Sequence, residues 1–179
     1  MAANFVLLNP RNRENIATLL RSGQNLGASS IIVIGGVIAD KYAGNIHKFQ
    51  HQMDTQEGMF SIPTFYFEDL ASFLKHLPAK TTLVVVEDMQ ASQPLETYSH
   101  PENATYIFGP EIKGFSVQEL ALIKQHFATL NQSIPAEHLL GNKKTAHLDF
   151  VKIITPQSLN VAVCGSIVMY DRHQKNTVA

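Results

Sequence analysis

Short apolar runs separated by helical patterns constrain the fold of this chain most strongly. Six such runs occur, each bounded by turn residues, at 5–8, 31–34, 64–67, 83–86, 106–108 and 150–154. Apolar residues at the i, i+3 and i+4 spacing of a helix mark three intervening segments, 12–26, 68–77 and 117–127. Strands that alternate with helices predict an α/β fold with a mainly parallel sheet flanked by helices.

Composition predicts one domain, residues 1–179, in a reducing compartment. A chain of 179 residues with 45% hydrophobic content can bury one full-sized core. Its single cysteine, Cys164, excludes an internal disulfide framework. No signal peptide is recognisable at the N-terminus, and no stretch approaches the roughly 20 apolar residues of a membrane span. We therefore expect a cytoplasmic protein without a membrane partner.

The charge balance gives no general signal for nucleic-acid binding. Only 16% of the residues are charged, and the formal net charge is -1. Such a chain lacks the global basic field that draws proteins to phosphate backbones. Any nucleic-acid partner must therefore be recognised by a local site.

The C-terminal stretch 152–172 carries an unusual sequence of signals. Pro156 ends the preceding strand, and Ser158 is the expected N-cap of an almost uncharged helix that begins near Val161. A helix that is apolar nearly all round is buried on most of its surface. We therefore expect Ser158 and Asn160 to lie in a buried loop, where their partners include a bound ligand as one candidate. Cys164 is expected to be a buried, unreactive packing residue.

Two further motifs follow predicted strands. The first, 9–21, places Asn15 and Arg21 six residues apart on a predicted helix, about one and two-thirds turns. The second, 106–116, brackets Glu111 between Gly109 and Gly114. Glycines in a loop that leaves a buried strand let the backbone approach a ligand closely.

Taken in this order, the three motifs resemble those of the SpoU/TrmH-type branch of the SPOUT RNA methyltransferases. The resemblance extends from about residue 5 to residue 172. It implies an α/β fold with a deep trefoil knot at the C-terminus, an S-adenosylmethionine cofactor and a homodimer. The implied reaction is methylation of a ribose 2′-hydroxyl in RNA, with tRNA or rRNA as substrate and no role for DNA.

The resemblance also implies roles for individual residues. Those matching the catalytic positions are Arg21, Ser158, Asn160 and Glu111. Those matching the substrate-binding positions are Asn15, Arg11, Arg13 and Arg21. Those matching the cofactor pocket are Val86, Glu87, Phe108, Gly109, Pro110, Gly114, Ile154, Thr155, Ser158, Leu159 and Asn160. In the implied dimer, the first and last helices pack across the two-fold axis, with Leu20, Val168 and Met169 at or near the interface.

Two of these residues have alternative interpretations. Arg21 is a poor general base, because a guanidinium is normally always protonated. Gripping an RNA phosphate and orienting the hydroxyl suits it better, and a simple surface ion pair is the plainest alternative. Glu111 is expected to organise its loop by accepting N–H hydrogen bonds rather than to exchange protons.

Alternatives also remain for the whole chain. A binding protein without turnover, or a methyltransferase acting on a base, would carry the same motifs. The polar segment 39–60 holds Lys41, His47, Lys48 and His51, which either contact RNA or are simply solvated. His47 and His51 are four residues apart, but no third ligand has matching spacing, so we expect no metal site.

Overall fold

The computed structural model describes residues 2–36, 62–78, 81–132 and 147–177. The segment 39–60, with Lys41, His47, Lys48 and His51, therefore lies outside the described residues, and its interpretations stay predictions.

A seven-stranded sheet forms the centre of the described structure. Its strands are β1 Ala2–Leu8, β2 Ser30–Ile34, β3 Thr64–Phe67, β4 Thr82–Val86, β5 Gln93–Pro94, β6 Asn103–Phe108 and β7 His147–Lys152. Their order is β3-β2-β1-β6-β4-β7-β5, and every neighbouring pair is parallel. The predicted α/β fold with a mainly parallel sheet is confirmed, whereas the trefoil knot stays a prediction.

Within the described ranges, four helices cover the two faces of this sheet. They are α1 Arg13–Leu26, α2 Leu70–Lys75, α3 Val117–Gln132 and α4 Val161–Thr177, and a 3₁₀ turn spans Leu95–Thr97. Side chains alternate along a strand, so β1 directs Phe5 to the face covered by α1 and α4 and Val6 to the face covered by α2 and α3. Burial on both faces explains why the strands read as continuous apolar runs. No helix within the described residues is long and apolar enough to cross a membrane.

Predicted element boundaries differ from the observed ones in several places: β1 and β6 begin three residues earlier than predicted, and α3 ends five residues later. Helix α1 ends as predicted, because Gly27 adopts the left-handed conformation (φ 77°) and its N–H bonds to the Gly23 carbonyl. Strand β7 begins and ends earlier than the predicted 150–154, since residues 153–160 leave the sheet as a loop. Strand β5 was not predicted, because it has only two residues and one is Pro94.

Helix α4 has one buried face and one exposed face. Val168 and Met169 are 0% and 1% exposed within the chain's own core, and Leu20 of α1 is 1% exposed. These three side chains therefore belong to the chain's own core and are not exposed for contact with a second copy, while the dimer itself stays a prediction. An apolar helix does not reveal from sequence which side meets its own sheet. Val163 and Tyr170, seven residues apart, form the exposed apolar side of α4, at 45% and 57% exposure.

The far end of α4 is anchored to the segment before β6. The buried Arg172 guanidinium donates to the carbonyl oxygens of Pro101 (2.6 Å) and Glu102 (2.9 Å). Lys175 donates through Nζ to the Leu95 carbonyl at 2.8 Å. Charged donors thus satisfy carbonyl groups that no strand partner reaches.

A buried histidine completes this anchor. His100 Nε2 lies 2.7 Å from Asp171 Oδ2, and Nδ1 lies 2.6 Å from the Tyr106 hydroxyl. Because Asp171 can only accept, Nε2 carries the proton, and Nδ1 accepts from Tyr106. Tyr106 in turn accepts from Arg172 at 3.1 Å. Burial is the largest cause of a lowered His100 pKa; Asp171 opposes the shift, and the charges of Arg172 and Lys175 add to it.

We predict that the free energy of unfolding falls as pH drops below about 6.5, the ordinary pKa of histidine. In that range the unfolded chain binds a proton at His100 while the folded chain does not, so acid favours unfolding. Urea denaturation between neutral and mildly acidic pH measures the slope. His100→Gln should reduce the slope. An unchanged slope in His100→Gln would contradict the prediction.

Candidate functional site

The carboxyl ends of four adjacent strands, β1, β6, β4 and β7, meet at one edge of the sheet. In open parallel sheets, ligands bind outside this edge. The loops that follow β4, β6 and β7 enclose a cavity of about 440 Å³ there. Its wall is completed by Val161 and Cys164, which come from the first turn of α4. The cavity lies within the size range of small-molecule sites.

Nine of the predicted cofactor positions line this cavity: Val86, Glu87, Phe108, Gly109, Pro110, Gly114, Thr155, Ser158 and Leu159. Two do not. Ile154 is 62% exposed outside the wall, and Asn160 faces α1 instead. The structure thus brings most of the predicted set together, and their contacts with a cofactor stay predictions.

Two glycines in the loop after β6 leave no room for a side chain where the loop borders the cavity. A Cβ on Gly109 would lie 2.8 Å from the backbone nitrogen of Phe115, so no larger residue fits there without movement. Gly114 has a φ of 61°, and a Cβ on it would lie 2.6 Å from Glu87 Oε2. Gly114 therefore leaves room for the Glu87 carboxylate in the wall.

Glu111 connects this loop to the loop after β1. Its Oε1 accepts from the backbone N–H groups of Arg11 and Asn12, each at 3.3 Å, and from Asn15 Nδ2 at 2.8 Å. Its Oε2 accepts from Asn12 Nδ2 at 2.8 Å. Both carboxylate oxygens are thus used for hydrogen bonds, as the loop-organising interpretation of Glu111 requires.

Asn160 extends the same network to α4. Its Nδ2 donates to Asn15 Oδ1 at 3.0 Å, and its Oδ1 accepts from the Ala162 N–H at 2.8 Å. Asn160 is therefore the N-cap of α4, and the prediction of Ser158 in that role is wrong. The expected buried loop is also wrong, since residues 154–160 are exposed in this chain. Four of its seven residues, Thr155, Gln157, Ser158 and Asn160, are polar, which favours exposure of the loop to solvent.

The predicted substrate-binding arginines lie on the α1 side and outside the cavity wall. Arg11 and Arg21 are exposed, and Arg13 Nε pairs with Glu14 Oε1 at 3.1 Å. Asn15 is buried and bonded as described. The roles of these residues toward a substrate stay predictions.

Several wall residues were missed by the sequence reasoning: Asp88, Ile112, Lys113, Ile153, Val161 and Cys164. Most are chain neighbours of motif residues, and that proximity was the available signal. Cys164 packs against the core as expected, but it is half-buried rather than fully buried. Burial raises the pKa of its thiol, and the Glu87 charge contributes further. Among the described residues, no group of three His, Cys, Asp or Glu could hold a metal ion.

We predict that Glu111→Gln lowers the free energy of unfolding by about 1 to 2 kcal/mol. A glutamine amide has one acceptor oxygen, so its NH₂ group must face either Asn12 or the three donors at Oε1. Urea denaturation measures the loss. The control Glu102→Gln, at an exposed position, should change stability by less than about 0.5 kcal/mol. Equal stability of both variants would contradict the role of Glu111 as a junction.

The fold resembles solved structures over nearly its whole length. One, described with 2-OH methylation of C/U34 on tRNA, has 19% identity and a TM-score of 0.69, with 99% of this chain and 98% of that chain covered. AviRb, a SpoU methyltransferase from Streptomyces viridochromogenes, has 17% identity and a TM-score of 0.68, with 99% and 60% covered. An AdoMet-bound rRNA methyltransferase from Sinorhizobium meliloti has 17% identity and a TM-score of 0.64, with 97% and 56% covered. The chain thus spans little more than half of the last two proteins.

Sequence comparison gives the family. No curated protein sequence matches the chain. The model of the SpoU rRNA methylase family matches residues 2–139, which include two of the three motifs. With that match over most of its length, the chain belongs to the SpoU methylase family.

Proposed function

We propose that this protein transfers the methyl group of S-adenosylmethionine to a ribose 2′-hydroxyl of RNA. The observation that carries the proposal is the cavity of about 440 Å³ at the carboxyl edge, built from the family motifs. Similar folds in an AdoMet-bound rRNA methyltransferase and in the protein described with 2-OH methylation on tRNA support both the cofactor and the reaction.

The residues of the cavity fit this cofactor. Gly109 and Gly114 keep backbone close to the open space, and a side chain at either position would intrude on neighbouring atoms. Apolar walls from Val86, Phe108 and Leu159 suit an adenine ring. S-adenosylmethionine supplies a methyl group on a sulfonium sulfur, which an oxygen nucleophile displaces.

The protein's tasks are then alignment and proton removal. Arg21 would grip an RNA phosphate with its planar guanidinium and orient the ribose hydroxyl, while the hydroxyl proton passes to the phosphate or another acceptor. Ser158 lies in the cavity wall, where its hydroxyl would position cofactor or ribose. Glu111 and Asn160 would act as positioning residues that hold α1 and α4 around the site.

The proposed substrate class is tRNA. This chain covers 98% of the protein described with 2-OH methylation of C/U34 on tRNA, but only 60% and 56% of AviRb and the Sinorhizobium meliloti protein. Ribosomal RNA is the alternative. We also propose a cytoplasmic location, supported by the single cysteine.

We predict that Arg21→Lys lowers kcat/KM on RNA by about tenfold or more, and that Arg21→Ala lowers it further, because an ammonium cannot form the bidentate contact. S-adenosylmethionine affinity, measured by isothermal titration, should stay unchanged, since Arg21 lies outside the cavity wall. The control Lys75→Ala removes an exposed cation on the opposite face of the sheet. Full activity in Arg21→Ala would remove Arg21 from the reaction.

Methyl-labelled cofactor and bulk tRNA separate the competing functions. A labelled nucleotide whose adjacent phosphodiester resists alkaline cleavage is methylated on the ribose 2′-oxygen. A labelled nucleotide whose phosphodiester is still cleaved is methylated on the base. Binding of cofactor and RNA without incorporation would indicate a binding protein without turnover.

We further propose that the protein is a homodimer formed through the exposed side of α4. Val163 and Tyr170 expose an apolar strip there, and α1, which carries Arg21, packs beside α4. In such a dimer Arg21 of one copy could serve RNA bound at either cavity.

We predict that Val163→Glu combined with Tyr170→Glu yields a monomer in sedimentation, because charges replace apolar contacts. Val117→Glu, at a residue 80% exposed at the start of α3, should leave the dimer intact. A wild-type monomer at micromolar concentration would refute the dimer. Mixing Arg21→Ala with a cofactor-blocked Gly109→Phe variant then tests whether two copies share a site, since activity should reappear only in mixed dimers.

A further inference from the structure

Glu87 is the least compensated carboxylate in the cavity wall. Among the described residues, three acidic side chains, Glu87, Asp88 and Glu111, and the exposed Lys113 line the cavity. The carboxylate of Glu111 is fully occupied by N–H donors. Asp88 has a side chain 78% exposed to solvent and lies 3.4 Å from Lys152 Nζ. Solvent and the lysine therefore screen the Asp88 charge.

The surroundings of Glu87 fix its carboxylate without neutralising it. Oε2 accepts from the Phe115 backbone N–H and Oε1 from the Asp88 backbone N–H, each at 3.1 Å. These are single bonds to neutral donors, and a carboxylate has about four lone-pair sites. Within the described part of the chain, Glu87 forms no ion pair. Gly114 leaves the space in which the carboxylate sits.

The charge of Glu87 acts on a second residue of the cavity wall. Cys164, in the first turn of α4, lines the same cavity. Burial is the largest cause of the raised pKa of the Cys164 thiol, and the negative charge of Glu87 raises it further. A cation in this cavity would therefore be stabilised by Glu87, and a neutral group of the same size would not.

We propose that the Glu87 carboxylate selects the sulfonium form of the cofactor over its demethylated thioether product. This inference rests on the proposed function. S-adenosylmethionine carries one positive charge more than S-adenosylhomocysteine, and the two differ otherwise only by the methyl group. Methyl transfer breaks the S–C bond, forms the O–C bond and leaves the sulfur neutral. The reaction thus removes the charge that Glu87 attracts, and the spent cofactor leaves more readily.

Isothermal titration of the whole protein with the two compounds tests the proposal. Wild-type protein should bind S-adenosylmethionine more tightly than S-adenosylhomocysteine. Glu87→Gln keeps the size and one acceptor oxygen but removes the charge, so it should reduce the affinity ratio about three- to tenfold. The loss should fall on S-adenosylmethionine. Asp88→Asn, at the screened carboxylate in the same wall, should change the ratio less.

Two further measurements distinguish charge recognition from a structural role. An analogue with a protonated amine in place of the sulfonium should lose affinity in Glu87→Gln as S-adenosylmethionine does. The wild-type ratio should also shrink as added salt shortens the Debye length from about 30 Å to about 3 Å. This second measurement needs no variant, so it stands even where Glu87→Gln fails to fold.

The outcomes separate this inference from the function on which it rests. Equal wild-type affinities, or an equal loss for both compounds in Glu87→Gln, would overturn charge selection while leaving the cofactor site intact. Absence of binding to either compound by folded wild-type protein would overturn the cofactor site itself, and the inference with it.

Discussion

The Glu111 carboxylate joins parts of the chain that are far apart in sequence, and the site depends on that junction. It receives N–H groups from the loop after β1, while its own loop follows β6. Asn15 donates a hydrogen bond to Glu111 and accepts one from Asn160, which caps α4. The order of the strands places the two loops next to each other, because β1 and β6 are neighbours in the sheet. Parallel pairing brings their carboxyl ends to the same edge, where one side chain spans both loops.

The periodicity of apolar residues was sufficient to predict most of the strands and helices. It predicted little of the hydrogen-bonded junction at Glu111. The strands could be predicted because each is covered on both faces, which produces continuous apolar runs such as 31–34. The N-cap of α4 could not, because Ser158 and Asn160 are both good caps. The choice between them is made by Asn15, 145 residues away in the chain. A local pattern carries no information about such a partner.

The exposed and buried sides of α4 illustrate the same limit. Its uncharged sequence predicted burial, and the structure buries Val168 and Met169 but exposes Val163 and Tyr170. Which side faces the sheet follows from the cap at one end and from Arg172 at the other, where its guanidinium reaches carbonyl groups before β6. The motif residues, in contrast, could be placed together through their resemblance to the SpoU/TrmH motifs. The structure adds the physical reason, since each motif follows a strand of one parallel sheet.

The site separates its charges in a way that suits two chemically different ligands. Acidic residues outnumber basic ones in the described cavity wall, and its Glu87 is held by neutral donors, so the wall favours a cation over a phosphate. The exposed guanidinium groups lie on the α1 side, outside that wall. In the proposed reaction, a polyanionic RNA would be held by α1, with a ribose extended toward the cavity and its phosphates kept away. Glu111 links these two regions, because it bonds to the start of α1 and borders the cavity. The same carboxylate that joins the loops would thus set how far a ribose must reach from the proposed phosphate contact at Arg21 to the methyl donor.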